Sequence, residues 1–387
     1  MKILYIAPLS LNRKHSAGGV ETATENILEG FSGIKRTEII VLSFRSGQFN
    51  STITKYSENI TIIQKSQKIK NTLFNILFYQ RKIIREIIDR ENPDLIHFHG
   101  TGPNILSISN LPRDRTIITQ HGILRIELKY QIGIRNKIKY FLKSIIETIY
   151  FPKFSNYIFI SNHNFNNANN YYKSNFSNYA IIPNAVNIDY FNIKSKNTTN
   201  NHILYVGFIS RLKNLLFLIK IINELKNKQK VFKLTIVGDI KDYKYYQECK
   251  QFIKSNNLTD IISFKGYLDQ NKLLSLYNII DIFVLPSLQE NSPISLLEAM
   301  AAGKVSVASN IGGIPEIINN NKTGFIFKNN DYKGLYSILS KLYNNYPLLD
   351  SIGQNAQKVI MKRFNPQYIA RSMNKFYNSI VNDKRIS

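Results

Sequence analysis

The stretch DIFVLPSLQENSPISLLEAMAAGKVSVA, Asp281 to Ala308, holds a complete strand–loop–helix–strand unit. Asp281–Leu285 is a short apolar run of strand length without polar alternation. Pro286–Asn291 interrupts it as a loop. Ser292 suits the cap of a helix, and Pro293 its first position, where a missing N–H costs nothing. Gly303 suits the end of that helix, and Val305–Ala308 resumes the strand pattern. Strands joined through a helix run parallel, and continuous apolar strands imply burial on both faces.

The same alternation runs along the chain. Strand-like runs occupy Ile3–Ala7, Glu38–Ser43, Asp94–His99, Thr116–Thr119 and Tyr157–Ile160. They return at His202–Val206, Leu234–Val237, Ile261–Phe264 and Asp281–Leu285. Helical patterns fill Val20–Gly30, Phe74–Arg90, Leu215–Asn227, Gln270–Tyr277 and Pro293–Ala302. The series starts twice, at Met1-Lys-Ile-Leu-Tyr-Ile-Ala and again at Asn201-His-Ile-Leu-Tyr-Val-Gly. Lys194–Asn201 is polar and reads as a surface linker. The expected fold class is α/β, with two doubly wound Rossmann-like domains facing a central cleft. Their expected extents are residues 1–190 and 200–365, followed by a helix within 366–387 that packs back toward the first domain.

The length of 387 residues suits two such domains, and 43% hydrophobic residues is ordinary for a folded chain. A lone cysteine, Cys249, rules out a disulfide framework and a multi-thiolate metal site, and suits a reducing, cytoplasmic setting. No apolar run reaches transmembrane length. MKILYIAPLSL opens like a signal peptide, but Pro8 interrupts it, and a buried first strand is the better reading. The net charge of +25 attracts nucleic acid, anionic lipid or an anionic substrate. A/T-rich codons for Lys, Asn, Ile and Tyr offer a second origin for that excess.

Glu290 and Glu298 stand eight positions apart, one in the loop and one inside the helix. The helix start between them offers N–H groups and partial positive charge, an anion site. Carboxylates touching a phosphate would repel it. They fit if they accept hydrogen bonds from hydroxyls on either side of it, which is the layout of a nucleotide sugar. Taken alone, the pair also admits a bland reading: Glu290 favours the helix dipole, and Glu298 is a solvated helix residue.

The surrounding sequence resembles the retaining nucleotide-sugar glycosyltransferases of family 4, which have the GT-B architecture. Glu290 and Glu298 meet that family's Glu–x7–Glu signature within PSLQENSPISLLEAMAAGKVSVASNIGGIPEII, and NNKTGFIF follows at Asn320–Phe327. IIPNAVN, LYVG, LTIVGD and FKGYL lie upstream, with GGVET, PDLIHFHG and TQHG in the first half. The resemblance implies that Glu298 binds ribose hydroxyls and Glu290 hydroxyls of the transferred sugar. Backbone at Asn291, Ser292 and Ile294 would face the sugar and diphosphate, and backbone at Gly266 and Tyr267 the base. Lys213 matches a lysine that neutralises the leaving diphosphate. The family's companion arginine is absent, because Phe208 follows Gly207; Arg211 offers a second charge from the same loop. Gly18 and Gly19 precede a helix and would let a phosphate or sugar approach closely. His121 matches a position near the donor sugar and acceptor.

The implied activity is transfer of a sugar, with retained configuration, from a UDP-, GDP- or ADP-sugar to a hydroxyl of a glycan or lipid-linked acceptor. Lipopolysaccharide, capsule or exopolysaccharide assembly is the implied setting. No cofactor is expected, and no metal, since the chain lacks Asp-x-Asp. His97 and His99 share a strand face but lack a third ligand at metal spacing. Arg125–Lys153 and Phe74–Arg90 mix basic and apolar residues at helical spacing, which suits an anionic membrane surface or an ordinary basic helix face. Two alternatives stand beside this reading: a nucleotide-sugar epimerase of the same architecture, and a basic nucleic-acid-binding protein. Dispersed basic residues and the lack of an aromatic-basic module or zinc finger speak against nucleic acid.

Overall fold

A computed structural model describes residues 1–9, 18–46, 51–67, 72–100, 102–131, 133–174, 176–193 and 200–386. Residues 194–199 of the expected linker lie outside the described residues, as do Ser10 and Leu11, Thr101, Ile132 and Ser387. The chain divides into two compact units. One comprises residues 1–9, 18–185 and 366–386, the other residues 186–365.

The first unit is built on an eight-stranded sheet. Its strands are β1 (Lys2–Ile6), β2 (Glu38–Ser46), β3 (Thr52–Ser57), β4 (Ile60–Gln67), β5 (Leu95–His99), β6 (Thr116–Gln120), β7 (Asn156–Phe159) and β8 (Asn178–Ile181). They lie in the order β3-β4-β2-β1-β5-β6-β7-β8, parallel throughout except for the β3–β4 pair at one edge. Side chains of β1 alternate between two cores. Ile3 and Tyr5 pack with Ile27, Leu28 and Phe31 of the helix Gly19–Phe31. Leu4 and Ile6 pack with Ile84 and Ile87 of the helix Arg81–Glu91. The terminal helix Pro366–Ile386 belongs to this unit and adds Ile369, Met373 and Tyr377 to the first of these cores. Gly30 permits its close approach: a Cβ there would lie 2.0 Å from the Pro366 carbonyl oxygen.

The second unit carries a six-stranded parallel sheet of β9 (His202–Val206), β10 (Lys233–Val237), β11 (Ile262–Gly266), β12 (Ile282–Leu285), β13 (Val305–Ser309) and β14 (Phe325–Phe327). The order is β11-β10-β9-β12-β13-β14. Ile203 and Tyr205 pack against Leu218 and Ile222 of the helix Leu215–Asn227. On the other face, Leu204 packs against Leu296, Leu297 and Met300 of the helix Ile294–Ala301.

Every strand expected from the apolar runs is present. Four further strands, β3, β4, β8 and β14, were not anticipated. β3 is TITKYS, an exposed edge strand whose polar residues disguise it, and β14 is only three residues long. The Phe74–Arg90 helix is not uniform: Asn75–Gln80 is wound as a π-helix before the α-helix Arg81–Glu91 begins. The cap after β12 also differs from expectation. Pro293, with extended backbone, is the N-cap and Ile294 the first helical residue, so Ser292 lies one residue outside the cap. The Pro293 carbonyl accepts the Leu296 and Leu297 N–H groups at 3.2 and 3.3 Å. Proline lacks only a donor, so it caps by its carbonyl as well as any residue. Gly303 follows the C-cap Ala302 with φ +68, the left-handed turn that stops the helix.

Candidate active site

In the second unit, β9 and β12 are neighbours, but their following helices cover opposite faces of the sheet. The loops leaving them diverge at the carboxyl ends of the strands, where open parallel sheets bind ligands. The two loops are tied directly, with the Leu288 N–H donating to the Leu212 carbonyl at 2.8 Å. Lys213 ends the 3₁₀ turn Arg211–Lys213 after β9, and Glu290 lies in the loop after β12. Lys213 Nζ donates to Glu290 Oε1 at 2.5 Å, and Ser287 Oγ donates to the same oxygen at 2.7 Å. Asn291 is half-buried beside them, and Ser292 and Ile294 are buried.

The Glu290 backbone is fixed from below. Gly312 has φ +56, and a Cβ there would fall 1.6 Å from the Glu290 carbonyl oxygen. Only glycine meets both demands, a left-handed backbone and contact closer than any side chain permits. A similar approach occurs beside β9. Gly238 has φ +140, and its Cβ would lie 2.1 Å from the Gly207 carbonyl oxygen. Its N–H donates to Gly266 at 2.8 Å, which carries the turn onward to the end of β11. Gly266 itself has φ +64 and open space where a Cβ would be, and Tyr267 beside it is half-buried.

Glu298 is buried, so it is not a solvated helix residue. Burial raises its pKa to about 8, opposed by a hydrogen bond from the Tyr190 side chain. Tyr190 and Tyr277 meet edge-on at 5.3 Å, and both are buried. The Tyr277 hydroxyl is pushed far above its ordinary pKa by burial and then by the Glu298 charge. Arg211 does not join this group. Its guanidinium binds Glu248, lies 3.6 Å from Asp242, and sits over the Tyr245 ring. Phe208 carries a different cation, Lys241 Nζ, 4.7 Å from its ring centre.

In the first unit, Gly18 precedes the helix Gly19–Phe31, and a Cβ at Gly18 or Gly19 would meet nothing within 4 Å. The Gly18 N–H is engaged by Glu21 Oε2 at 2.9 Å. His97 and His99 of β5 are buried with their ring centres 4.4 Å apart, and His121 just after β6 is half-buried beside His99. His97 Nδ1 lies 2.6 Å from the Tyr377 hydroxyl, and its Nε2 lies 2.7 Å from the Thr119 hydroxyl. His99 Nε2 bonds the Tyr5 hydroxyl, and its Nδ1 lies 3.1 Å from His121 Nε2. Burial lowers the pKa of His97 to about 3, helped by the His121 charge, and that of His121 to about 4. Among the described residues no three His, Cys, Asp or Glu side chains are arranged to hold a metal ion.

Sequence reading singled out Lys213, Glu290, Glu298 and His121 but not Ser287, Tyr190, Gly312 or Tyr5. Gly312 had a visible signal, the paired glycine after β13. Tyr190 and Tyr5 had none, because an isolated tyrosine does not announce its partner.

Two family profiles match the chain. The one described as Glycosyltransferase Family 4 matches residues 17–190, and the one described as Glycosyl transferases group 1 matches residues 187–359. An uncharacterized glycosyltransferase of Methanocaldococcus jannaschii is 26% identical over 373 residues, covering 94% of this chain and 95% of its own. The capsular polysaccharide biosynthesis glycosyltransferase CapM of Staphylococcus aureus is 26% identical over 179 residues, 46% of each chain. Anabaena HepE, solved in complex with UDP and glucose, superposes with a TM-score of 0.74 at 17% identity, over 98% of this chain and 100% of that one. With both halves matched in order, and with two parallel-sheet units of the GT-B kind, the chain belongs to the family 4 glycosyltransferases.

Proposed function

We propose that the protein transfers a sugar from a nucleoside-diphosphate sugar to a hydroxyl of a glycan or lipid-linked glycan, with retention of anomeric configuration. The observation that carries this reading is the Lys213–Glu290 pair at the diverging loops of β9 and β12, beside the start of the helix Ile294–Ala301. A cation, a carboxylate and a helix start at one loop junction suit a diphosphate with hydroxyls on either side. Anabaena HepE, which binds UDP and glucose, supports the class of donor. CapM supports a setting in surface polysaccharide assembly.

In this reading the bond between the anomeric carbon and the diphosphate oxygen breaks. The acceptor oxygen bonds to the same face of that carbon. The acceptor proton goes to the departing phosphate oxygen. Lys213 and the helix start stabilise the charge on the leaving diphosphate. Glu290 accepts hydrogen bonds from the transferred sugar, and Glu298 with Tyr190 holds the ribose. Gly266 and Tyr267 border the base. In the first unit, His121 and the Gly18–Gly19 turn are proposed as ligand-binding positions. Arg211 is committed to Glu248 and Asp242, so we assign the leaving-group charge to Lys213. Because Lys213 supplies that charge, the reaction is proposed to run without a metal ion, in the cytoplasm where nucleotide sugars are made.

The test is a thermal-shift screen against UDP-, GDP- and ADP-sugars, followed by product analysis with an acceptor glycolipid. A specific donor raises the melting temperature by mass action. Transfer with retention that persists in EDTA is the expected result. Release of a free isomerised sugar without transfer would overturn the reading in favour of an epimerase.

A further inference from the structure

The helix Ile134–Tyr150 packs on its unit through Ser144, Glu147 and the partly buried Ile146 and Tyr150, and its outer side is apolar. Its fully buried residues are Ser144 and Glu147, and Glu147 accepts the Leu124 N–H at 2.9 Å. Ile134, Ile138, Phe141, Leu142, Ile145 and Ile149 are all exposed, from 37% at Ile145 to 77% at Ile134. At ~100° per residue these six fall within about 100° of arc, one continuous stripe facing away from the unit. The surface helix of a soluble domain ordinarily turns such a stripe inward.

The charges follow the same division. Arg135 and Lys137 border the stripe on its two sides, and Lys139 and Lys143 lie further round the helix. Glu147 is the helix's one acidic residue, and it is turned into the protein. The outer half of the helix therefore offers apolar side chains and positive charge with no carboxylate among them. The π-helix Asn75–Gln80 adds an exposed Phe78, and it packs on the same segment, Gly102–Ile108, as the helix Ile134–Tyr150.

Two occupants could cover the stripe. A second copy meeting it face to face would bring together two faces of the same positive charge with no exposed carboxylate on either helix to offset it, which opposes association. An anionic lipid surface satisfies the apolar residues and the cations together. We propose that the outer face of the helix Ile134–Tyr150 lies in the headgroup–acyl boundary of an anionic membrane. The six apolar side chains point into the boundary, and Arg135 and Lys137 meet lipid phosphates. Among the described residues no helix is long and apolar enough to cross a membrane, so this contact lies along the surface. The inference stands on this face alone and does not depend on the sugar-transfer reading.

Flotation with vesicles tests it. The full chain is mixed at low salt with vesicles of equal parts phosphatidylglycerol and phosphatidylcholine, and separately with phosphatidylcholine alone. Wild type is expected to float with the anionic vesicles and remain behind with the neutral ones. The triple variant Ile138→Ser, Phe141→Ser, Leu142→Ser and the double variant Arg135→Glu, Lys137→Glu are each expected to bind at least about tenfold more weakly. Their circular dichroism and melting temperature are expected to match wild type, because every changed side chain is exposed. Failure of wild type to float, equal flotation of the folded variants, or a dimer abolished by the triple variant without vesicle binding would each overturn the proposal.

Discussion

Lys213 and Glu290 are separated by 77 positions in sequence, yet their side chains meet at 2.5 Å. They meet because β9 and β12 are adjacent and their loops are tied by the Leu288 N–H bond to the Leu212 carbonyl. Both are partly shielded, with side-chain exposures of 21% and 9%. A partly buried pair is costly to break from one side only. In the free protein each partner neutralises the other, so a bound diphosphate would draw on Lys213 while sugar hydroxyls draw on Glu290.

Lys213→Ala is therefore expected to lower kcat by about 10²–10³-fold, the usual effect of removing one donor to a developing charge. Glu290→Gln keeps the shape of the side chain but removes its charge, and is expected to act mainly on sugar binding. Steady-state kinetics of both single variants and the double variant check this. Strict additivity of the two losses would mean that the residues work independently, against the pairing seen here.

Glu298 has a folded-state pKa of about 8 against an ordinary 4.5, owing first to burial. Between those values the folded protein holds a proton that the unfolded chain has lost. Stability contributed by this group is full below pH 4.5 and falls as pH rises toward 8, by about 1.4 kcal/mol per unit at the steepest. Glu298→Gln cannot titrate, so its stability relative to wild type is expected to rise from pH 5 to pH 8. Urea unfolding at the two pH values measures it, and a difference independent of pH would show that the carboxyl is solvated.

Gly312→Ala is expected to damage both stability and activity. The left-handed backbone alone costs about 1–3 kcal/mol for a residue with a Cβ. The added carbon would also fall 1.6 Å from the Glu290 carbonyl oxygen, so the loop must move. Gly18→Ala is the matched comparison, since a Cβ there meets nothing within 4 Å. Melting temperatures are expected to drop by several degrees for Gly312→Ala and to stay unchanged for Gly18→Ala, although Gly18→Ala still loses activity if a ligand approaches that turn.

Most of the parallel strands could be read from the sequence because they are short apolar runs, largely buried, and β1 and β9 repeat almost the same residues; β4, β8 and β14 could not. β3 could not, because an exposed edge strand has no reason to be apolar. In the candidate site, the glutamates and Lys213 were legible by type and spacing. Their pairing was not, since it depends on strand order. The position of Arg211 was equally hidden: Glu248 and Asp242, which hold it, belong to the helix Tyr243–Ser255 beyond β10 and its cap.

The histidines of the first unit predict acid sensitivity. His97 and His121 are held neutral by burial, with pKa values of about 3 and about 4 against an ordinary 6.5. Lowered folded-state values mean that unfolding takes up protons below pH 6.5. Stability from these groups is full above that value and is lost as pH falls, until it levels off near the folded values. The loss approaches about 1.4 kcal/mol per pH unit for each histidine. His97 also bonds Tyr377 of the terminal helix Pro366–Ile386, so that helix is expected to loosen first. Hydrogen exchange at pH 7 and pH 5 measures this directly: faster opening of Pro366–Ile386 at pH 5, with the helix Leu215–Asn227 of the other unit unchanged. Tyr377→Phe removes the hydroxyl partner while keeping the ring stacked on Phe31, 6.0 Å away. It is expected to cost about 1–3 kcal/mol already at pH 7, the cost of leaving a buried imidazole nitrogen without its bond.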